Sequence, residues 1–182
     1  SKDVPLKLTL NGNTLKAIYN GDRKLVSGRD YTYSDAAVTL KGDYVSRLLT
    51  DSIGINATLK LKFSAGTDWN VYLTHYSTPV LSPSEGTDAG LNIPVQFNGS
   101  RLSTMEAVYS DGSGAAGPQN WTTYKEYGYA FTVDYSGNKV TMTDKFFKET
   151  HDGEMILIFH FQSGEVMQYK IVKNGTTVKS VN

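Results

Sequence analysis

The chain has no cysteine, which excludes disulfides, thiolate catalysis and cysteine-ligated zinc and leaves any metal to histidine and carboxylates. Histidine is scarce too, and His75, His151 and His160 lack metal-ligand spacing, so neither a metal nor another cofactor is expected. There is no net charge, because 18 basic side chains offset 18 acidic ones. Nucleic acid demands a concentrated basic face that displaces counterions, and a polybasic membrane anchor demands the same. Neither partner is expected. Long apolar runs are missing: the longest, Met155 to Phe159, is far short of the ~20 residues that cross a bilayer. The given sequence contains no signal-peptide pattern, and its abrupt start at Ser1 reads as that of an excised fragment.

What is present suits a globular all-β protein. Hydrophobic residues make up 39% and charged ones 20%, enough apolar material for a core. Gly 17 and Tyr 12 favour pleated surfaces joined by turns. The length of 182 residues fits one large domain or two of about 90. An internal repeat decides between them. Leu8-Thr9-Leu10-Asn11-Gly12-Asn13-Thr14-Leu15 recurs as Val95-Gln96-Phe97-Asn98-Gly99-Ser100-Arg101-Leu102. Tyr31-Thr32-Tyr33 recurs as Phe131-Thr132-Val133, and Leu59 to Gly66 recurs as Leu157 to Gly164. Three matches in the same order point to two related domains.

The segments read as strands. Leu6, Leu8 and Leu10 alternate with polar residues, as do Tyr127, Tyr129, Phe131, Val133 and Tyr135, the period of a half-buried strand. Asn11-Gly12 and Asn98-Gly99 are signals for tight hairpins. Asp43 to Leu49 and Asp144 to Glu149 each suit one helical turn with the Asp as N-cap. Short strands at this spacing predict two tandem β-sandwiches. Ser77 to Gly90 is rich in Ser, Pro, Gly and Asp and reads as a connection. The expected division is therefore 1–80, a linker at 81–90, and 91–182.

The copies differ most between their first turn and middle strand. The second copy carries about 13 extra residues there, including Ser110 to Pro118, a loop composition. It leads into Gln119-Asn120-Trp121-Thr122-Thr123-Tyr124-Lys125-Glu126-Tyr127-Gly128-Tyr129. Flat aromatic rings match the apolar C–H face of a sugar, and polar side chains match its hydroxyl rim. Burying one sugar face at about 25 cal/mol per Å² is worth roughly 2 kcal/mol per ring, so two or three rings reach about millimolar to tens of micromolar affinity. Trp121 has no counterpart in the first copy and is the leading candidate, with Tyr124, Tyr127, Gln119, Asn120 and Lys125 beside it. Tyr127 could equally face a strand interior, and Tyr129 and Phe131 read better as strand residues. Trp69 corresponds to the apolar Met167, so a packing role is expected there, with the first domain as spacer.

Four stretches of the first half, Leu8 to Leu15, Leu25 to Thr32, Val38 to Lys41 and Leu61 to Gly66, resemble the immunoglobulin-like module found beside catalytic domains in bacterial cellulases. The second half, with Pro94 to Gly99, the Trp121 loop and Val166 to Lys170, is similar to family 46 carbohydrate-binding modules. The resemblance implies a secreted, extracellular parent: a family 5 glycoside hydrolase with endo-β-1,4-glucanase activity, whose catalytic domain precedes this chain. It also implies a β-glucan partner such as xyloglucan, mixed-linkage glucan or cellulose, and loop tryptophans as the binding residues. A second nearby tryptophan would fit that pattern; Thr123 and Tyr124 stand there instead.

No catalytic residues are expected within the chain itself. Glycoside hydrolysis needs two carboxylates about 5–10 Å apart across a cleft, and the acidic residues are scattered without a pairing signal. The chain is read as a monomeric, non-catalytic module that targets or completes the cleft of that enzyme. The alternative is a structural or adhesion tandem that contacts other proteins.

Overall fold

Alternating side chains build sheets in both copies, and the computed structural model, which describes residues 2–181, divides after Tyr76. The first unit runs β1 (Val4–Lys7), β2 (Leu15–Asn20), β3 (Arg23–Lys24), β4 (Tyr31–Ser34), β5 (Ala37–Leu40), α1 (Gly42–Leu48), β6 (Gly54–Phe63) and β7 (Trp69–His75). Two antiparallel sheets, in the orders β1-β5-β4 and β3-β2-β6-β7, form a sandwich. Ile18, Leu59 and Leu61 from one sheet meet Val38 and Leu40 from the other, and Tyr44 of α1 joins them. Burial of these alternate residues drives the sheets together.

The second unit runs β8 (Val80–Leu81), β9 (Glu85–Thr87), β10 (Gly90–Gln96), β11 (Leu102–Tyr109), β12 (Phe131–Asp134), β13 (Lys139–Thr143), α2 (Asp144–Lys148), β14 (Gly153–Phe161), β15 (Val166–Asn174) and β16 (Thr177–Ser180). The orders β10-β13-β12 and β11-β14-β15 repeat the first unit's sheets. Here β16 pairs with β15 while β9 pairs with both β16 and β10, which joins the two sheets along one side. The core gathers Met105, Leu157 and Phe159 against Ile93, Val140 and Met142, with Phe146 and Phe147 of α2 beneath. The all-β, two-sandwich architecture is as the sequence implies.

Three local expectations need correcting. Residues 81–90 are not a bare linker, because β9 and the start of β10 lie in them and are paired within the second unit. The Asn-Gly pairs do adopt the tight turn, with φ of 46° and 84° at Asn11 and Gly12 and 47° and 81° at Asn98 and Gly99. Yet the strands each turn joins, β1 with β2 and β10 with β11, are not paired with each other, so each turn is a sandwich corner rather than a hairpin. Neither helix is capped by its own Asp. Asp3 reaches across to accept from Gly42 N at 2.8 Å, and Thr143 Oγ1 accepts from Phe146 N at 3.4 Å, each satisfying an orphan amide of the first turn.

Candidate functional site

The insertion is bracketed by hydrogen bonds that both units share. Leu25 N donates to Ile18 O at 2.8 Å, and Lys125 N donates to Met105 O at 3.0 Å. Gly28 N bonds Tyr31 O and Gly128 N bonds Phe131 O, both at 2.7 Å. Residues 25–31 and 125–131 therefore correspond, and the added residues lie before Thr123. They turn back where Tyr109 N meets Gly114 O at 2.9 Å. They then return along β11, with Ala116 N to Ala107 O at 3.0 Å and Ala107 N to Thr123 O at 2.9 Å. The outer edge of β11 supplies unpaired backbone groups, and the loop uses them as a template.

Two features fix the loop's inner side. Gly117 has φ +77°, and a Cβ there would lie 2.6 Å from two ring carbons of the buried Phe146, so only glycine lets the backbone cross at this point. Lys125, expected to offer its ammonium to a ligand, is 4% exposed and points inward. It occupies the place of the buried Leu25, and its Nζ donates to Pro118 O at 2.8 Å and Thr122 O at 3.1 Å. Burial lowers its pKa, partly opposed by the charge of Glu149. The ammonium thus ties together the two ends of a turn closed by Thr122 N to Gln119 O at 3.0 Å. Asn120 and Trp121 form the tip of that turn. Trp121 is 81% exposed.

The remaining rings follow the tip. Tyr124 is half exposed and lies 6.1 Å from His160, at 36° between the ring planes. Glu106 of β11 accepts from Thr123 Oγ1 with one oxygen and pairs with His160 Nε2 at 2.7 Å with the other. Tyr127 and Tyr129 are not on a strand face, since β12 begins only at Phe131. They occupy a turn in the places of Ser27 and Arg29, which explains why both rings are open to solvent. Tyr127 packs edge-on to Phe131 at 5.7 Å, and Lys145 Nζ lies 4.7 Å from the Tyr129 centroid. Gln119 is half-buried and donates to Glu126 at 3.2 Å, whereas Asn120 is exposed beside Trp121. Sequence reasoning singled out Trp121, Tyr124 and Tyr127, whose rings are exposed, but placed the exposed Tyr129 on a strand. It did not single out Glu106 and His160, which lie against the loop without standing out in the sequence. Exposed indole and phenol rings framed by amides and carboxylates can stack on sugars and bond their hydroxyls.

Residues 77–181 match the family model CBM46, described as a carbohydrate binding domain, and residues 1–73 match CBM_X2, carbohydrate binding domain X2. Endoglucanase B of Paenibacillus lautus is 43% identical over 97% of this chain, which spans 31% of that protein. A xyloglucanase from a Paenibacillus species is 38% identical over 58% of the chain, which spans 10% of it. Among solved structures, the tri-modular endo-β-1,4-glucanase B of Bacillus halodurans matches 99% of the chain at TM-score 0.91 and 41% identity, with 34% of that protein covered. The isolated family 46 carbohydrate-binding module of the same enzyme is 52% identical over 57% of the chain, with 98% of the module covered and a TM-score of 0.55.

Proposed function

The chain belongs to the CBM46 carbohydrate-binding family through residues 77–181, behind a CBM_X2 carbohydrate-binding domain, and on that premise we propose that Trp121 is its principal sugar platform and β-glucan its ligand. The observation that carries the reading is the 81% exposure of Trp121 on a turn whose backbone Lys125 holds from within. A rigid indole stacks on a pyranose face at little entropic cost. Tyr124 and Tyr127 extend the platform, while Gln119 and Asn120 supply amides for equatorial hydroxyls.

The named relatives are an endoglucanase and a xyloglucanase, which supports a β-1,4-linked glucan, with xyloglucan and mixed-linkage glucan as the soluble forms to try first. The parent is then a secreted endo-β-1,4-glucanase acting outside the cell. Its catalytic domain lies upstream, and the module adds a wall to that domain's substrate cleft. Weak binding suits this role, because linkage to the catalytic domain raises the effective concentration of each site for the other.

Calorimetry with soluble xyloglucan and mixed-linkage glucan tests the proposal. The wild-type chain is expected to bind at about millimolar to tens of micromolar, and Trp121→Ala to bind about 30-fold more weakly, as befits roughly 2 kcal/mol per stacked ring. Equal binding by the two proteins removes Trp121 from the site.

A further inference from the structure

We propose that the first unit holds a second, separate sugar subsite at Trp69, in a cleft that the second unit has closed. The hairpin registers make Trp69 the counterpart of Met167, since Leu61 faces Trp69 across β6–β7 as Phe159 faces Met167 across β14–β15. In the second unit that end of the sandwich is plugged. Tyr135 lies 4.7 Å from Phe97, and the guanidinium of Arg101 covers the Tyr135 ring at 4.2 Å. The four-residue connection Tyr135 to Asn138, between β12 and β13, supplies that ring.

The first unit lacks the plug. Its β4–β5 connection is only Asp35-Ala36, and Leu10 stands where Phe97 does. The space left is a cleft of ≈ 100 Å³ lined by Thr9, Leu10, Asn13, Phe63, Thr67 and Trp69 among others. Trp69 is 44% exposed, and Phe63 fixes its ring at 4.9 Å and 63°. An indole meant only to fill a core would be covered, as the rings of Tyr44 and Phe146 are. Every residue lining the cleft is uncharged, which disfavours an ionic ligand. An aromatic floor with amide and hydroxyl groups from Asn13, Thr9 and Thr67 suits one pyranose ring of a neutral β-glucan.

The two tryptophans are the only ones in the chain, so each can be watched alone. In the full chain, Trp121→Phe leaves Trp69 as the sole indole, and Trp69→Phe leaves Trp121. Cellohexaose is titrated into each while indole emission is followed. The expected result is a saturable change of Trp69 emission in Trp121→Phe, weakened roughly fivefold by adding Asn13→Ala, the worth of about one hydrogen bond. A silent Trp69 beside a responding Trp121 overturns the subsite and leaves the Trp121 reading intact. A responding Trp69 beside a silent Trp121 supports the subsite and overturns the other. Silence of both overturns both, and a Trp69 response that Asn13→Ala leaves undiminished overturns the cleft as its place.

Discussion

The proposed site rests on the exposed Trp121 and the buried Lys125, and of the two placements only the first was legible in the sequence. An aromatic that one copy has and its sibling lacks cannot be part of the shared core, so Trp121 could be read as displayed. Lys125 was read by residue type, because lysine is almost never fully buried unless it is paired. Its burial follows from register: it stands at the Leu25 position, and the two carbonyls that accept from it belong to an insertion with no precedent in the first copy. Comparing Leu25, Gly28 and Tyr31 with Lys125, Gly128 and Phe131 would have exposed the substitution. Lys125→Met keeps the length of the stem and leaves Pro118 O and Thr122 O without their donor, at a cost of about 1–3 kcal/mol. In the Trp69→Phe background, Trp121 fluorescence anisotropy should fall as the freed indole gains motion. Glucan affinity should fall roughly fivefold with it, as one ring's pre-organisation is lost. Loss of stability with unchanged anisotropy would reduce Lys125 to a packing residue.

At the scale of elements, the two units solve the same turn with different chemistry. Gly28 and Gly128 have φ of 83° and 81°, and Asp30 N and Ala130 N bond Val26 O and Glu126 O at 2.8 and 2.9 Å. In the first unit a fully buried carboxylate completes the turn. Asp30 accepts from Arg29 at 3.0 and 2.9 Å and from Val26 N at 2.9 Å, with Arg23 at 3.7 Å. The second unit has buried Ala130 there instead, which frees the flanking positions for Tyr127 and Tyr129. Period-2 alternation assigned those tyrosines to a strand because turn residues 127–129 happen to continue the phase of β12; the paired strand starts only at Phe131. The Arg29 hydrogen bonds, outweighing burial, hold the Asp30 pKa at about 2, below the roughly 3.9 of an unfolded chain. A lowered folded pKa stabilises above the unfolded value and is lost as pH falls, here from about 4 through about 2. Asp30→Asn should therefore destabilise the first unit by about 2–3 kcal/mol at pH 7, with the deficit shrinking towards pH 2. Urea midpoints at the two pH values, compared with wild type, would show an equal deficit at both if the charge were unimportant.

At the scale of the whole molecule, the repeat divided the chain into two sandwiches, yet composition placed the border too late. Ser, Pro and Gly marked 81–90 as a linker, and short strands are hard to recognise when their partners lie far along the sequence. Ser84 N donates to Ser180 Oγ at 2.9 Å, Ser180 N donates to Ser84 O at 2.8 Å, and Ser84 Oγ meets Tyr169 Oη at 2.8 Å. Tyr169, 8% exposed, donates in turn to Ser82 O at 2.9 Å. Leu81 packs on the core, and β9 is the strand that joins β16 to β10. A fragment of residues 91–182 loses all of these contacts and strips the Tyr169 hydroxyl of its partners on Ser82 and Ser84. Several buried hydrogen bonds and one apolar side chain amount to on the order of 5 kcal/mol, comparable with the whole stability of a small domain. Residues 77–182 keep every one of them, and the homologous module from Bacillus halodurans has been solved in isolation. The longer fragment should give a dispersed amide spectrum and a single cooperative melt, whereas 91–182 should melt far lower or show collapsed amide dispersion. Equal melting of the two fragments would mean that β8 and β9 are decoration on a sandwich complete without them.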